Sequence, residues 1–154
     1  MMLLNTAALL AHLSAPMLTT NAKIGTTAEW KGTLTDNGTS YAVDMVMTVT
    51  AIDATSGQMT VDQNIKINGN PEQDQSQTMA ANSVDPGVIT ASACTQAGGQ
   101  SDSVTVAAGT FAACHIVQTS SDVQVADVPF GVVKETGTQS DGSIIALELQ
   151  SAHW

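Results

Sequence analysis

Hydrophobic and polar residues alternate with a period of two through most of the chain after residue 26. In residues 40–52, SYAVDMVMTVTAI, the odd positions from Tyr41 to Ala51 are apolar or aromatic, and the even positions include Ser40, Asp44, Thr48 and Thr50. The same alternation recurs in residues 58–67 and again near the C terminus in residues 143–150. This pattern is typical of β-strands with one buried and one solvated face.

Turn-forming dipeptides separate the alternating segments. They are Asn37-Gly38, Ser56-Gly57, Asn68-Gly69 and Asp141-Gly142. Asn-Gly and Asp-Gly favour tight hairpins because both central residues tolerate positive φ, and strands joined so closely must be antiparallel. The sequence predicts a first meander at about 27–34, 40–52, 58–67 and 73–80, and further strands at about 102–107, 110–120, 122–127, 131–136 and 143–150.

Two segments depart from this alternation. The apolar run at residues 3–13 predicts a short helix that ends before Pro16 and is largely buried. The run is like the apolar part of a signal peptide but lacks its positive flank, and it is shorter than the ~20 residues that span a bilayer. In the middle, residues 84–94 predict a short helical segment within a crossover at 84–99 that crosses the sheet.

These elements predict a single α+β domain over residues 1–154. Residues 1–20 form the N-terminal helix and its lead-in, 27–80 the first meander and 102–150 the second. The predicted architecture is a large curved antiparallel sheet, a half-barrel, with the N-terminal helix and the middle segment packed on one face. A closed barrel or a sandwich with the helix plugging one end is the alternative.

Composition restricts the classes of partner. Hydrophobic residues make up 43% of the chain and aromatic residues 3%, so the core must consist mainly of aliphatic side chains and methionine. Fourteen acidic residues stand against four lysines, there is no arginine, and the net charge is −10. A phosphate backbone and an anionic membrane surface would both repel such a chain, which excludes nucleic acid and anionic membranes as partners.

The peptide TVAAGTFAACHIV, residues 105–117, places a cysteine beside a histidine. Cys94 and Cys114 are the two cysteines, too few for a four-cysteine zinc site and outside any C-x-x-C motif. An even count in an exported chain favours a disulfide, worth about 3 kcal/mol in the chain-entropy model. Strand alternation directs Cys114 and His115 to opposite faces, so the sequence predicts a structural bridge and not a thiol–imidazole pair.

No catalytic or cofactor motif is present. His12, His115 and His153 lack the H-x-H or H-E-x-x-H spacing of metal sites, and there is no G-x-S-x-G elbow and no phosphate-binding glycine loop. His115 with an aspartate would be an incomplete ligand set for a metal. The sequence therefore predicts a non-enzymatic chain without catalytic, cofactor-binding or metal-binding residues.

The region from Cys94 to residue 137 resembles a group of uncharacterised exported proteins and lipoproteins of Gram-negative bacteria. The residues that carry the resemblance are Cys94, Gly98-Gly99, the peptide from Val104 to Cys114, and DVPFGVVKETG at 127–137, which match a pattern C…GG…VxAGTFxxC…VPFGxVK. The style is similar to DUF3108-type domains and to LolA/LppX-like lipoprotein carriers. The resemblance implies a periplasmic or outer-membrane-associated location and a sheet that wraps helices over an apolar cavity. It supplies no catalytic residues, and this chain has no lipobox cysteine.

Two functions follow as hypotheses. The first is a carrier or binding module that holds a lipid or another apolar ligand in the concavity of the sheet, because methionine side chains repack at low cost. The candidate pocket residues are Leu3, Leu10, Met45, Met47, Met59, Phe111 and Phe130. The same methionines could equally fill a core that has few aromatics. The second hypothesis is a structural or assembly subunit of a bacterial surface or fibre, a homo-oligomer formed through strand edges or the N-terminal helix. Both place the chain outside the cytoplasm, in the periplasm, at the outer membrane or secreted.

Overall fold

A computed structural model describes residues 20–154, except for the side chain of Gln73. The predicted N-terminal helix at 3–13, together with the candidate pocket residues Leu3 and Leu10, lies outside the described residues. No helix in the described part of the chain is long and apolar enough to cross a membrane.

Nine strands form one antiparallel sheet, and every predicted strand is present with its ends within three residues of the expected positions. The strands are β1 (Thr27–Asp36), β2 (Thr39–Ile52), β3 (Gln58–Ile67), β4 (Asn70–Ala80), β5 (Gln100–Val106), β6 (Gly109–Val117), β7 (Ser121–Val125), β8 (Val132–Thr138) and β9 (Ile144–His153). Their order across the sheet is β4-β3-β2-β1-β9-β8-β7-β6-β5. The first and last strands of the chain therefore pair at the centre of the sheet.

The Asn-Gly hairpins have the backbone geometry that the sequence predicts. Asn37 and Gly38 have φ values of 47° and 80°, and Asn68 and Gly69 have 50° and 78°. Positive φ at both central residues is the signature of a type I′ turn, which matches the twist of the strands that it joins. These two turns fix the register of β1–β2 and β3–β4.

The crossover between β4 and β5 joins the two opposite edges of the sheet. It contains two short helices, α1 (Ala81–Val84) and α2 (Ala91–Gln96). Helix α1 contacts β3 and β4, whereas α2 contacts β5 and β6. Thr90 is the N-cap of α2, and its hydroxyl accepts a hydrogen bond from the Ala93 N–H at 3.1 Å. The prediction of one helical segment at 84–94 is thus corrected: two helices lie at opposite ends of the sheet.

The sheet is open, because β4 and β5 do not pair with each other. One half nevertheless curls back on itself. Strand β5 contacts β8 and β9, and the Ala108 N–H in the β5–β6 turn donates to the Leu149 carbonyl at 3.3 Å. A curved open sheet agrees with the half-barrel prediction, and the closed barrel is wrong.

The larger of the two buried clusters in residues 20–154 contains apolar residues of β1, β2, β3 and β9, together with Val104 of β5, Ala113 of β6 and Val133 of β8. At its centre the Trp30 indole N–H donates to the Val132 carbonyl at 2.9 Å, and the Trp30 and Phe130 rings meet edge to face at 6.1 Å. Phe130 has φ 63°, an unusual value for a bulky residue, and its N–H donates to the Val84 carbonyl at 2.7 Å. Crossover and sheet are thereby joined at the start of β8.

Candidate functional site

Cys94 and Cys114 form a disulfide, with their Cα atoms 5.5 Å apart. Both are buried in the smaller cluster, which also contains Ile116, Val123, Val125 and Val132. The bridge fastens helix α2 to strand β6. The predicted disulfide between Cys94 and Cys114 is confirmed.

His115 lies on the other face of β6 and contacts two carboxylates. Its Nε2 is 2.7 Å from Asp122 Oδ1 and its Nδ1 is 3.9 Å from Asp102 Oδ2, with the side chain 33% exposed. Both groups that contact the imidazole are carboxylates of exposed aspartates. Across residues 20–154, no group of three His, Cys, Asp or Glu side chains is placed to hold a metal ion.

The structure brings the described candidate pocket residues together in the larger cluster. Met45, Met47, Met59 and Phe130 are buried there, and Phe111 packs against it. Phe111 and Cys114 belong to different clusters on opposite faces of β6. The described pocket residues thus pack as core side chains, and whether they admit a ligand remains a prediction.

Strand β8 carries a row of polar and small residues on its buried face. Alternation along KETGTQ exposes Lys134, Thr136 and Thr138 and buries Glu135, Gly137 and Gln139. Glu135 is 8% exposed and Gln139, directly after the strand, is 7% exposed. Polar side chains are thereby fixed where a sheet of this kind normally buries aliphatic ones.

The surroundings of Glu135 are apolar. Its cross-strand neighbours are Val123 on β7 and Leu147 on β9, both buried. Within the described part of the chain, Glu135 Oε1 and both side-chain polar atoms of Gln139 have no hydrogen-bond partner. An unpaired buried polar group costs about 1–3 kcal/mol, so such groups call for an explanation beyond folding.

Burial raises the pKa of Glu135 from its ordinary value of 4.5 to about 7. Removal from water disfavours the ionised form, and no charge or donor opposes that effect. Below pH 7 the group is therefore mainly a neutral carboxylic acid, which donates one hydrogen bond and still accepts others.

Gly137, which has no side chain, lies between Glu135 and Gln139 on the buried face. Glu135 and Gln139 are four residues apart on one face, roughly 13 Å along an extended strand. An acid and an amide can each donate and accept a hydrogen bond. The row can thus bind uncharged polar groups inside an otherwise apolar surface.

Sequence reasoning missed this row, although the signal is present. The buried Val133 precedes Glu135 by two positions, and a period of two places both on one face. A glutamate two positions after a buried valine is the signal in the sequence, although the adjacent Val132, which is also buried, has the opposite phase.

No protein-family model matches the chain, and no curated protein does. The chain is similar to a protein in the crystal structure of MucB in complex with MucA(peri), with a TM-score of 0.41 and 6% sequence identity. The match covers 97% of this chain and 56% of the other, so this chain spans little more than half of that length. The resemblance to exported lipoprotein-like families remains a prediction.

Proposed function

We propose that this chain is an exported, non-enzymatic domain that binds a ligand with an apolar body and an uncharged polar end group. Glu135 anchors the end group, and the apolar face of the sheet holds the body. The observation that carries this proposal is the buried Glu135 carboxyl, whose Oε1 lacks a hydrogen-bond partner among the described residues.

A ligand accounts for Glu135 better than folding does. An aliphatic residue would fill the position without an unpaired oxygen, and buried carboxyls with raised pKa values concentrate at functional sites. Binding sites for small molecules are mostly apolar and contain a few polar groups that orient the ligand. Glu135 between Val123 and Leu147 has that composition.

The register supplies a path for the apolar body. The row that contains Glu135 continues through Leu147 and Gly32 to Val43, with Met45 in the next row. Strands lie about 4.8 Å apart, so β8 to β2 spans roughly 14 Å. Methionines at the far end repack at low cost, and each buried methylene of a ligand would contribute about 0.8 kcal/mol.

The end group is neutral in this proposal. An anionic head would meet an unpaired carboxyl within a chain of net charge −10, whereas an alcohol or amide can share a hydrogen bond with Glu135. Export is supported by the disulfide, because such bonds persist in oxidising compartments.

The test uses N-phenyl-1-naphthylamine, a neutral fluorophore with apolar rings and one N–H donor, titrated into the full chain. We expect wild type and Glu135→Gln to bind similarly, because the amide still accepts a hydrogen bond. Glu135→Leu should bind about tenfold more weakly, the equivalent of one lost hydrogen bond.

Glu148→Gln is the matched control, since Glu148 lies on the neighbouring strand and is exposed in a pair with Lys134 at 2.7 Å. It should bind the fluorophore like wild type. Equal affinity of a folded Glu135→Leu variant, or no binding by folded wild type, would contradict the proposal. Circular dichroism establishes that each variant is folded.

A further inference from the structure

The two edges of the sheet differ in how they are covered. Edge strand β5 has 7 residues and contacts α2, β8 and β9. Edge strand β4 has 11 residues, and from Pro71 to Thr78 its described side chains are exposed. No residue between 20 and 154 pairs with its outer side. A long open edge of this kind is a template for another strand.

Only part of β4 is suited to pairing. Pro71 cannot donate a hydrogen bond, and the register with β3 shifts between Ile65 and Lys66, opposite the start of β4. From Asp74 to Thr78 the pairing with β3 is regular. This second half, DQSQT, presents a continuous extended backbone of five residues.

An acidic groove lies beside this edge segment. It has a volume of about 460 Å³ and is lined by residues of β2, β3 and β4, among them Thr48, Asp62, Asn64, Asp74 and Ser76. Asp62 accepts a hydrogen bond from the Ser76 hydroxyl at 2.6 Å, and Asp74 accepts one from the Asn64 amide. Within the described residues, neither carboxylate has a lysine within salt-bridge distance. Both negative charges are therefore uncompensated next to an open strand edge.

We propose that β4 from Asp74 to Thr78 binds an extended, cationic segment of a different protein as an added strand. Lysine or arginine side chains of that segment reach Asp74 and Asp62 in the groove. Alternation in the added strand directs every second side chain to the face that carries the groove. Main-chain hydrogen bonds supply pairing and the charges supply selectivity, as in other cases of strand addition.

Charge argues against a second copy of this chain as the occupant. A second copy would bring the same net charge of −10 and the same acidic side chains, Glu72 and Asp74, to the shared edge, and chains of like charge repel each other. With four lysines and no arginine, the chain has few cations to offer. The complementary partner is basic, and this inference is independent of the ligand proposed for Glu135.

The test is a titration of the full chain with a synthetic peptide of alternating lysine and threonine, with a glutamate–threonine peptide as comparison. We expect the basic peptide alone to bind, with affinity that falls as salt rises, and to protect amides of residues 74–78 from hydrogen exchange. The double variant Asp62→Asn with Asp74→Asn should bind about tenfold more weakly. Asp102→Asn, a matched change on edge strand β5, should leave binding unchanged.

Three results would overturn the proposal. The first is peptide binding without amide protection in β4, which would indicate cation adsorption only. The second is equal binding of the acidic peptide. The third is self-association of the chain in analytical ultracentrifugation, accompanied by protection of the amides of residues 74–78 from hydrogen exchange in the absence of peptide.

Discussion

Asp85 in the crossover and Glu135 in β8 are two buried acids with opposite surroundings. Asp85 is fully buried and its carboxylate accepts hydrogen bonds from the Asn21 N–H, from the Thr20 hydroxyl at 3.2 Å and from the Gly87 N–H at 3.1 Å. Glu135 lies among apolar side chains with Oε1 unpaired. The two acids therefore share burial but differ in hydrogen bonding, because only Asp85 has donors that compensate its carboxylate.

Asp85 is a structural joint. Its hydrogen bonds tie residues 20 and 21, which lead into β1, to the crossover that joins the two sheet edges. Burial raises the pKa of the nearby Asp127, and the negative charge of Asp85 raises it further. The chain thus compensates one buried acid with three donors of its own, whereas Oε1 of the other has no donor among the described residues.

The largest expected effect is that of Asp85→Ala. The change leaves three donors without an acceptor, and at about 1–3 kcal/mol each we expect the free energy of unfolding to fall by about 4 kcal/mol. Urea denaturation at pH 7 measures it. Asp85→Asn keeps one acceptor oxygen and should lose less. An unchanged free energy in the alanine variant would remove the distinction between the two acids.

At pH 8, Glu135→Leu should raise the free energy of unfolding, the opposite of the effect expected for Asp85→Ala. Because the folded-state pKa of about 7 lies above the ordinary 4.5, the folded chain holds more protons between these values and wild-type stability falls as pH rises from 4.5 through 7. The gap corresponds to about 3 kcal/mol. The leucine variant should lack this decline and be more stable than wild type at pH 8. Urea denaturation across pH 4.5–8 checks this, and identical slopes would refute it.

Replacing both cysteines by serine tests the smaller cluster, whose described residues have no unpaired buried polar side-chain atom. Loss of a bridge across a loop of 20 residues should lower the free energy of unfolding by about 3 kcal/mol. The pH slope that Glu135 produces should persist, because the disulfide stabilises the chain independently of that carboxyl. A vanished slope in the double variant would show that the smaller cluster controls the environment of Glu135.

The smallest effect is expected for Glu148→Gln. Glu148 and Lys134 form an exposed pair on β9 and β8, with both side chains 46% exposed. Exposed ion pairs contribute less than about 1 kcal/mol. Urea denaturation should give a free energy of unfolding within about 1 kcal/mol of the wild-type value, with the wild-type dependence on pH. A larger loss would mean that negative charge itself matters on these strands.

Local patterns predicted the strands, because alternation and the Asn-Gly turns act within neighbouring residues. Pairing of β1 with β9 depends on residues more than a hundred positions apart. The crossover runs from one edge of the sheet to the other because that pairing places β4 and β5 at opposite edges. Those features could not be predicted from spacing. The disulfide was predictable because a chain with two cysteines offers each of them a single partner.

Glu135 escaped prediction for a tertiary reason. In β8 the register shifts where Val125 pairs with Val132, so Val132 and Val133 are both buried and the strand pattern becomes irregular. Which face Glu135 occupies is then decided by β7 and β9. The methionines were predicted as pocket residues from composition, and in the described structure they pack within the core.

The most direct measurement is an NMR titration of the Glu135 side-chain carboxyl carbon in the full chain, assigned by comparison with Glu135→Gln. We predict a midpoint near pH 7 in the free chain, and a displaced midpoint once N-phenyl-1-naphthylamine is bound beside the carboxyl. A midpoint near 4.5, or one that the bound fluorophore leaves unmoved, would contradict the assignment of Glu135 as the anchor of a ligand.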